Sequence, residues 1–573
     1  MYLRTTPRRN NDGSVVRYLQ LAHNTWDSAA KRSRVQVIYN FGREDHHNLA
    51  ALQRLVASVS RFLDPDQTLA ATASEGLEFI ESRPLGGVWA LDGLWRRLGI
   101  DQTMRRLLKG RRLDASAERV LFALVANRAL APSSKLAAAH WVNDDAAIPG
   151  LAATSDDACY RAMDWLLEIH QELEQEIFGQ VATLLDLEVD LLFFDTTSTY
   201  FELDEPDTPI ARDQRGVPVL DADGEGPGDK AADKAGFRSY GHSKDHRDDL
   251  PQIVVGMAVT RTGIPVRVWC WPGGTSDQVL IRQVKADLRD WTLARVIWVA
   301  DRGFASAENR RYLRRGDHHY IIGEKLRSGS AEATAALARQ GRYQQVADNL
   351  RVKEVRISDH ERFVICYNPQ QADRAAAVRQ RLLAQLQETI AASDKLNVTK
   401  RAELRGVIST KPGLHRYLRV TPGGLLRIDQ RAIKAEQGLD GKYLLRSSDP
   451  HLSAEDIALG YKQLLQVERG WRDMKQVIDL RPVYHRKEER IRAHVLLCWL
   501  ALLLTRTIET ACDDTWPSLR RELERIKLGT FTGPAGTFRQ RTELITTQRA
   551  ILAKLELADP PRVWQLTPVA PGS

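Results

Sequence analysis

The spacing of apolar and polar positions changes period several times along the chain, and each change marks a boundary. Residues 1–80 open with short alternating stretches, "SVVRYLQLAHNTW" and "RSRVQVIYNFG", which predict a small basic β-rich module. Across 81–187 apolar residues recur three and four positions apart in "LDGLWRRLGI", "ASAERVLFALVANRAL" and "AMDWLLEIHQELEQEIFGQVATLLDL", which predicts a helical domain. Strand patterns return at 189–197, "QIVVGMAVT" and "IPVRVWCW". The last two are separated only by Arg261-Thr262-Gly263 and read as a hairpin. A helix ("SDQVLIRQVKADLRDW"), a strand ("RVIWVA"), a helix ("SAENRRYLRRG") and a strand ("HHYIIGEKL") follow, so 188–326 predicts a mixed sheet with helices packed on it.

Between 327 and 445 short strands ("RVKEVRI", "RFVICYN", "RYLRVT", "LLRIDQ") surround a polar helix, the pattern of an inserted β-rich domain. Residues 446–512 return to a strand, a long helix over 454–477 opened by Ser453, and an apolar run. That run, "VLLCWLALLLT", is about half the roughly 20 residues a membrane span needs and predicts a core helix. The tail, 513–573, is polar, with helical pieces and a proline-rich end.

At 573 residues the chain exceeds a single core, and its 43% hydrophobic content is that of an ordinary soluble protein. The 82 Lys and Arg against 74 Asp and Glu, a formal charge of +8, lean mildly towards a polyanionic partner. Five cysteines without a CxxC pair argue against zinc ribbons and a disulfide framework, and a reducing cytoplasm is the expected location.

Chemistry enters at "LLFFDTTSTYF", where Asp195 ends an apolar run with no turn residue before it. A carboxylate at the end of a buried strand is costly unless a cation or a metal faces it. Asp301 follows the strand "RVIWVA" in the same way, and Glu468 sits inside the helix "YKQLLQVERGWRDMK". At 100° per residue Tyr461, Leu464, Glu468 and Lys475 fall within about 60° of one another, beside an apolar stripe of Val467, Trp471, Met474 and Ile478. Each carboxylate taken alone has a plainer reading: an arginine partner for Asp195, a turn for Asp301, a surface ion pair for Glu468. "GHSKDHR" fits either a phosphate-contacting loop or a solvated turn, while Trp269, Trp271 and Trp298 fit the core. Together the three carboxylates compose an oxygen-ligand site of the kind that holds Mg²⁺, and two ions about 3.5–4 Å apart would serve phosphodiester chemistry.

"FDTTSTYFE", "YGHSKDHRDDLPQIVVGMAVTRTGIPVRVWCWPGGTSD" and "VADRGF", with Tyr461, Leu464, Glu468 and Lys475, resemble the bacterial insertion-sequence transposases of the DDE type. The group is marked by a tyrosine, arginine, glutamate, lysine signature, and here leucine stands at the arginine position. The resemblance, over 191–505, implies a multidomain α+β or α/β chain with a ribonuclease-H-like mixed-sheet core interrupted by a β-rich insertion and preceded by a helical DNA-binding region. It implies catalysis and metal binding by Asp195, Asp301 and Glu468 with two Mg²⁺, for which Mn²⁺ substitutes. It also implies DNA contacts by Tyr461, Lys475, Lys244, His246, Arg247 and Arg302, with Arg472 in place of the missing arginine. The expected partners are double-stranded DNA with terminal inverted repeats, target DNA, and a second copy of the chain on paired ends. The expected activity is cut-and-paste transposition in the bacterial cytoplasm, at the nucleoid. A structure-selective nuclease and a non-catalytic DNA-binding protein are the alternatives; a glycosidase lacks the repeated strand and helix pattern of a barrel.

Overall fold

The computed structural model describes residues 2–10, 14–27, 31–43, 77–111, 116–184, 190–213, 215–219, 234–289, 291, 295–327, 329–358, 361–533 and 536–567. Residues 44–76 of the expected N-terminal module, the strand start at Val189 with the boundary at 187–188, and the proline-rich end beyond 567 lie outside them. The chain divides into two compact units, one of residues 1–82, 529–540 and 563–573 and one of 83–528 and 541–562.

In the first unit, Tyr2–Arg9, Val15–Asp27 and Arg32–Arg43 form a three-stranded antiparallel sheet. Of its apolar side chains, Val16 and Ala22 are buried, while Trp26, Val37 and Tyr39 are exposed. A second, four-stranded sheet runs in the order Val563–Thr567, Gly536–Arg541, Lys527–Gly533, Glu78–Pro84. Phe531 stacks on Phe538 and tilts against Phe79 there. Strands from the two ends of the chain therefore share one sheet, a pairing that the polar composition of the tail did not signal.

The second unit is built on a nine-stranded mixed sheet. Its strands are β1 (Leu191–Tyr200), β2 (Gln252–Thr260), β3 (Pro265–Pro272), β4 (Ile297–Ala300), β5 (His319–Glu324), β6 (Gln344–Ala347), β7 (Leu350–Ser358), β8 (Glu361–Tyr367) and β9 (Lys442–Ser447), in spatial order β6-β7-β8-β9-β5-β4-β1-β2-β3. β4 pairs in parallel with β1 and β5, and every other pairing is antiparallel. The β2–β3 hairpin turns at Gly263, whose φ of 83° a side chain would disfavour.

Period-two alternation divides the strand residues between two cores. Leu191, Phe193, Met257, Ile297, Val299 and Ile321 face one core. Leu192, Phe194, Trp298, Ala300, Tyr320 and Ile322 face the other, which is closed by the helix α3 (Asp277–Asp287). On the first face lie α1 (Ala117–Leu130), α2 (Asp156–Leu184), α4 (Ala454–Lys462), α5 (Leu465–Gln476) and α6 (Glu488–Cys512). α6 is long and apolar enough to cross a membrane, but it is mostly buried among these elements as a core helix. Trp269, Trp271 and Trp298 are all buried.

Three expectations need correction. The segment 327–445 is not a separate β-rich domain: β6, β7 and β8 extend the main sheet, and β9 lies between β8 and β5. The reason is visible in β8, where Phe363 and Ile365 face one core and Val364 and Cys366 another, so the strand needs cover on both sides. The remainder of the segment is mainly helical (Pro369–Ile390, Val398–Ser409, Gln430–Gln437), with one small hairpin of Leu418–Val420 and Leu426–Ile428. Asp195 does not end its strand, because β2 continues to pair with β1 as far as Tyr200. Finally, 454–477 is two helices; Ser453 caps the first as expected, but around Gln463 and Leu464 the bonds tighten from i→i−4 to i→i−3.

Candidate active site

The register of three adjacent strands sets the site. Ala300 of β4 lies opposite Phe194 of β1 and Ile322 of β5, so one further step places Asp301 between Asp195 and Gly323. By alternation these three positions share the face of Phe193, Val299 and Ile321, the face on which α4 and α5 pack. Two aspartates distant in sequence thus become neighbours across strands about 4.8 Å apart.

Glycines let the helices lie close to that face. A Cβ on Gly460 would stand 3.2 Å from Leu191 Cδ1, and one on Gly470 only 2.7 Å from Met257 Cε. Gly323 leaves room for Tyr461, whose hydroxyl would be 2.5 Å from a Cβ there. The Tyr461 hydroxyl donates to Asp301 Oδ1 at 3.2 Å, and its ring stacks on Tyr443. Burial, followed by the Asp301 charge, pushes the Tyr461 phenol well up, so it remains a proton donor to that carboxylate. Glu468 is exposed at the start of α5. Asp195, Asp301, Tyr461 and Glu468 line a single cleft of about 900 Å³.

Asp195 is half-buried, and burial pushes its carboxyl up to about 6 against the pull of Lys244. The Lys244 ammonium lies 3.4 Å from Asp195 Oδ1 and 3.5 Å from Asp277 Oδ2, and donates to the carbonyl and Oγ1 of Thr196, each at 2.6 Å. Thr196 Oγ1 donates to Asp277 Oδ1 at 2.8 Å. The loop that carries Lys244 is pinned by its own polar groups: the Lys244 amide donates to Ser198 Oγ at 2.9 Å and the Ser243 amide to Asp248 Oδ1 at 2.6 Å. Thr196 and Asp277 were not legible as site residues; Asp277 reads only as a helix-opening acid.

The other expected residues divide. Arg302 lines the cleft and is exposed. Lys475 donates to Asp245 at 2.9 and 3.2 Å, and Arg481 reaches the same carboxylate at 3.0 Å, so both cations are already paired. Arg472 is exposed beside a different cavity, lined by Asp473, Glu509 and Trp516. Arg247 pairs with Asp249 and covers the Tyr200 ring, while His246, at φ 58°, is exposed at the loop tip. Leu464, at the signature's arginine position, is a buried core residue. The common stripe drawn through Tyr461, Leu464, Glu468 and Lys475 is broken at the tightened turn, and only Glu468 and Lys475 share a helix.

Among the described residues no three histidine, cysteine, aspartate or glutamate side chains are gathered closely enough to hold an ion as they stand. The donor set nevertheless suits a hard cation. It is all carboxylate oxygen, and an ammonium already lies against Asp195.

Residues 210–504, more than half the chain, match the family described as the transposase DDE domain, a span that includes Asp301 and Glu468 but begins after Asp195. The chain belongs to the DDE-domain transposases. The N-terminal residues 3–71 of the transposase match the N-terminal domain of the IS1634 family transposases. No curated protein matches it. A cryo-EM structure of the piggyBac transposase synaptic complex with hairpin DNA aligns over 76% of this chain and 76% of that chain, with 11% identity and a TM-score of 0.34. The transposase is an enzyme that cleaves and rejoins DNA, and its family uses divalent metal ions.

Proposed function

We propose that Asp195, Asp301 and Glu468 are the catalytic carboxylates, and that they cut the inverted-repeat ends of an insertion element and join them to target DNA. The observation that carries this reading is the register that sets Asp301 beside Asp195 on the sheet face where Glu468 opens into the same cleft. The three carboxylates would hold two Mg²⁺, with Mn²⁺ as substitute, and such ions supply activation of an attacking oxygen and stabilisation of a leaving one. The chain's own contribution is orientation. Tyr461 fixes the rotamer of Asp301 through its hydroxyl, and Lys244 fixes that of Asp195. The hydrophobic seats of Val467 and Met474 hold α5, and with it Glu468, against the sheet.

In this reading β1 to β5 with α4 to α6 form a ribonuclease-H-like core, and 327–445 is an insertion whose strands have merged with that core's sheet. Residues 1–80 and 81–187 recognise the ends, because sequence reading is separable from the phosphate contacts that cutting requires. Two copies assemble on paired ends. The test is end binding and Mg²⁺-dependent nicking by Asp195→Asn, Asp301→Asn and Glu468→Gln. Binding is expected to persist and nicking to fall by about 100- to 1,000-fold, as for removal of a major electrostatic contributor. A variant that nicks at the wild-type rate removes its residue from the site.

A further inference from the structure

The cleft over the carboxylates has two unlike flanks. On the side of Lys475, the cations are already neutralised. Lys475 and Arg481 share Asp245. On the side formed by β5, β9 and the end of α4, Arg302, Lys325 and Lys462 line the cleft, are exposed, and form no ion pair among the described residues. Arg327, on the same side, is bound to Glu436 at 2.7 Å and contributes no free charge. Glu324 is likewise covered, by Arg446 at 3.3 Å and Arg310 at 3.6 Å.

We propose that the DNA strand being cut lies along this β5–β9 flank, with successive phosphates on Arg302, Lys325 and Lys462. The inference rests on the reading of Asp195, Asp301 and Glu468 as the cutting carboxylates, and adds the path of the strand through the site. Its physical basis is charge complementarity. Unpaired ammonium and guanidinium groups gain by displacing the counterions of a phosphodiester chain, whereas a cation held by a carboxylate must first lose that partner. The stacked Tyr443–Tyr461 pair lines the same cleft. Lys475, which its spacing from Glu468 made the natural phosphate contact, instead braces the Lys244 loop through Asp245.

The test uses the full-length protein with Ca²⁺ in place of Mg²⁺, a duplex of the element's own terminal sequence, and affinity measured against salt. Lys325→Gln and Lys462→Gln are each expected to flatten the log–log slope by about one, and the double variant by about two, with unchanged thermal melting. Each lost contact corresponds to about a threefold smaller change in affinity between 50 and 200 mM salt. Lys400→Gln, an exposed cation on the helix Val398–Ser409, controls for net charge and is expected to leave the slope unchanged. A double variant with the wild-type slope, a slope moved equally by Lys400→Gln, or a slope that moves for single-stranded RNA but not for DNA overturns the proposal. Nicking by Asp301→Asn in the same preparation separates the two levels. If that variant cuts, the reading of the site fails; if it is dead while the double variant keeps its slope, only the strand path fails.

Discussion

Asp195→Asn should stabilise the protein in the absence of divalent ions. Burial raises the Asp195 carboxyl to about 6 in the folded chain, against about 3.9 when unfolded. The folded state therefore holds the proton more tightly than the unfolded state. The stability this confers is fully present below pH 4 and is lost as pH rises through 6. Once both states are ionised, the cost of the charge is about 3 kcal/mol, and at pH 5 it is about half of that. The asparagine has no charge to desolvate, but it also removes the counter-charge of Lys244, which retains Asp277 at 3.5 Å and two oxygens of Thr196. The net gain should therefore be about 1–3 kcal/mol at pH 8 and roughly half as much at pH 5. Urea unfolding of both proteins in chelator at the two pH values measures it, since the other titrating groups are shared and cancel. An asparagine variant no more stable than the wild type at pH 8 would show that Lys244 compensates the carboxylate fully. A gain that failed to shrink at pH 5 would show that its origin is not ionisation.

Gly323→Ala should separate orientation from binding: the new methyl meets the Tyr461 hydroxyl at 2.5 Å and pushes it off Asp301, so single-turnover cutting should fall by about 100-fold while end binding holds. Unchanged cutting would mean that the Tyr461–Asp301 hydrogen bond is dispensable. Lys475→Met should leave half-buried Asp245 with Arg481 alone, costing about 1–3 kcal/mol in urea unfolding while the salt slope of end binding stays at the wild-type value. A slope lower by one would return Lys475 to the phosphate-binding role that its spacing suggests.

Much of the local structure is decided by sequence alone. Three-and-four spacing fixes the helices over 86–184, short apolar runs bounded by polar or turn residues fix β1 to β5, and Gly263 fixes the hairpin, because each depends on a short stretch. Asp195 and Asp301 also stand out in the sequence, since an acid directly after an apolar run demands explanation wherever the strand lies, whereas Glu468 is singled out only by the signature spacing. Partnership is not legible. Whether β7 and β8 form their own sheet or widen another depends on what covers their second face, and only the assembled chain supplies that cover. The same holds for Glu78–Pro84 and the tail strands that share its sheet. The helical wheel through Tyr461 and Glu468 assumed uniform winding, and the tightened turn at Leu464, itself buried, breaks it. Charge pairing shows the same limit: Lys475 and Lys462 are both basic residues on adjacent helices, but Asp245, more than two hundred positions away, reaches only Lys475. Tertiary contact therefore decides which cations are spent within the protein and which remain unpaired, because neutralisation falls off within a few ångströms while sequence distance carries no information about it.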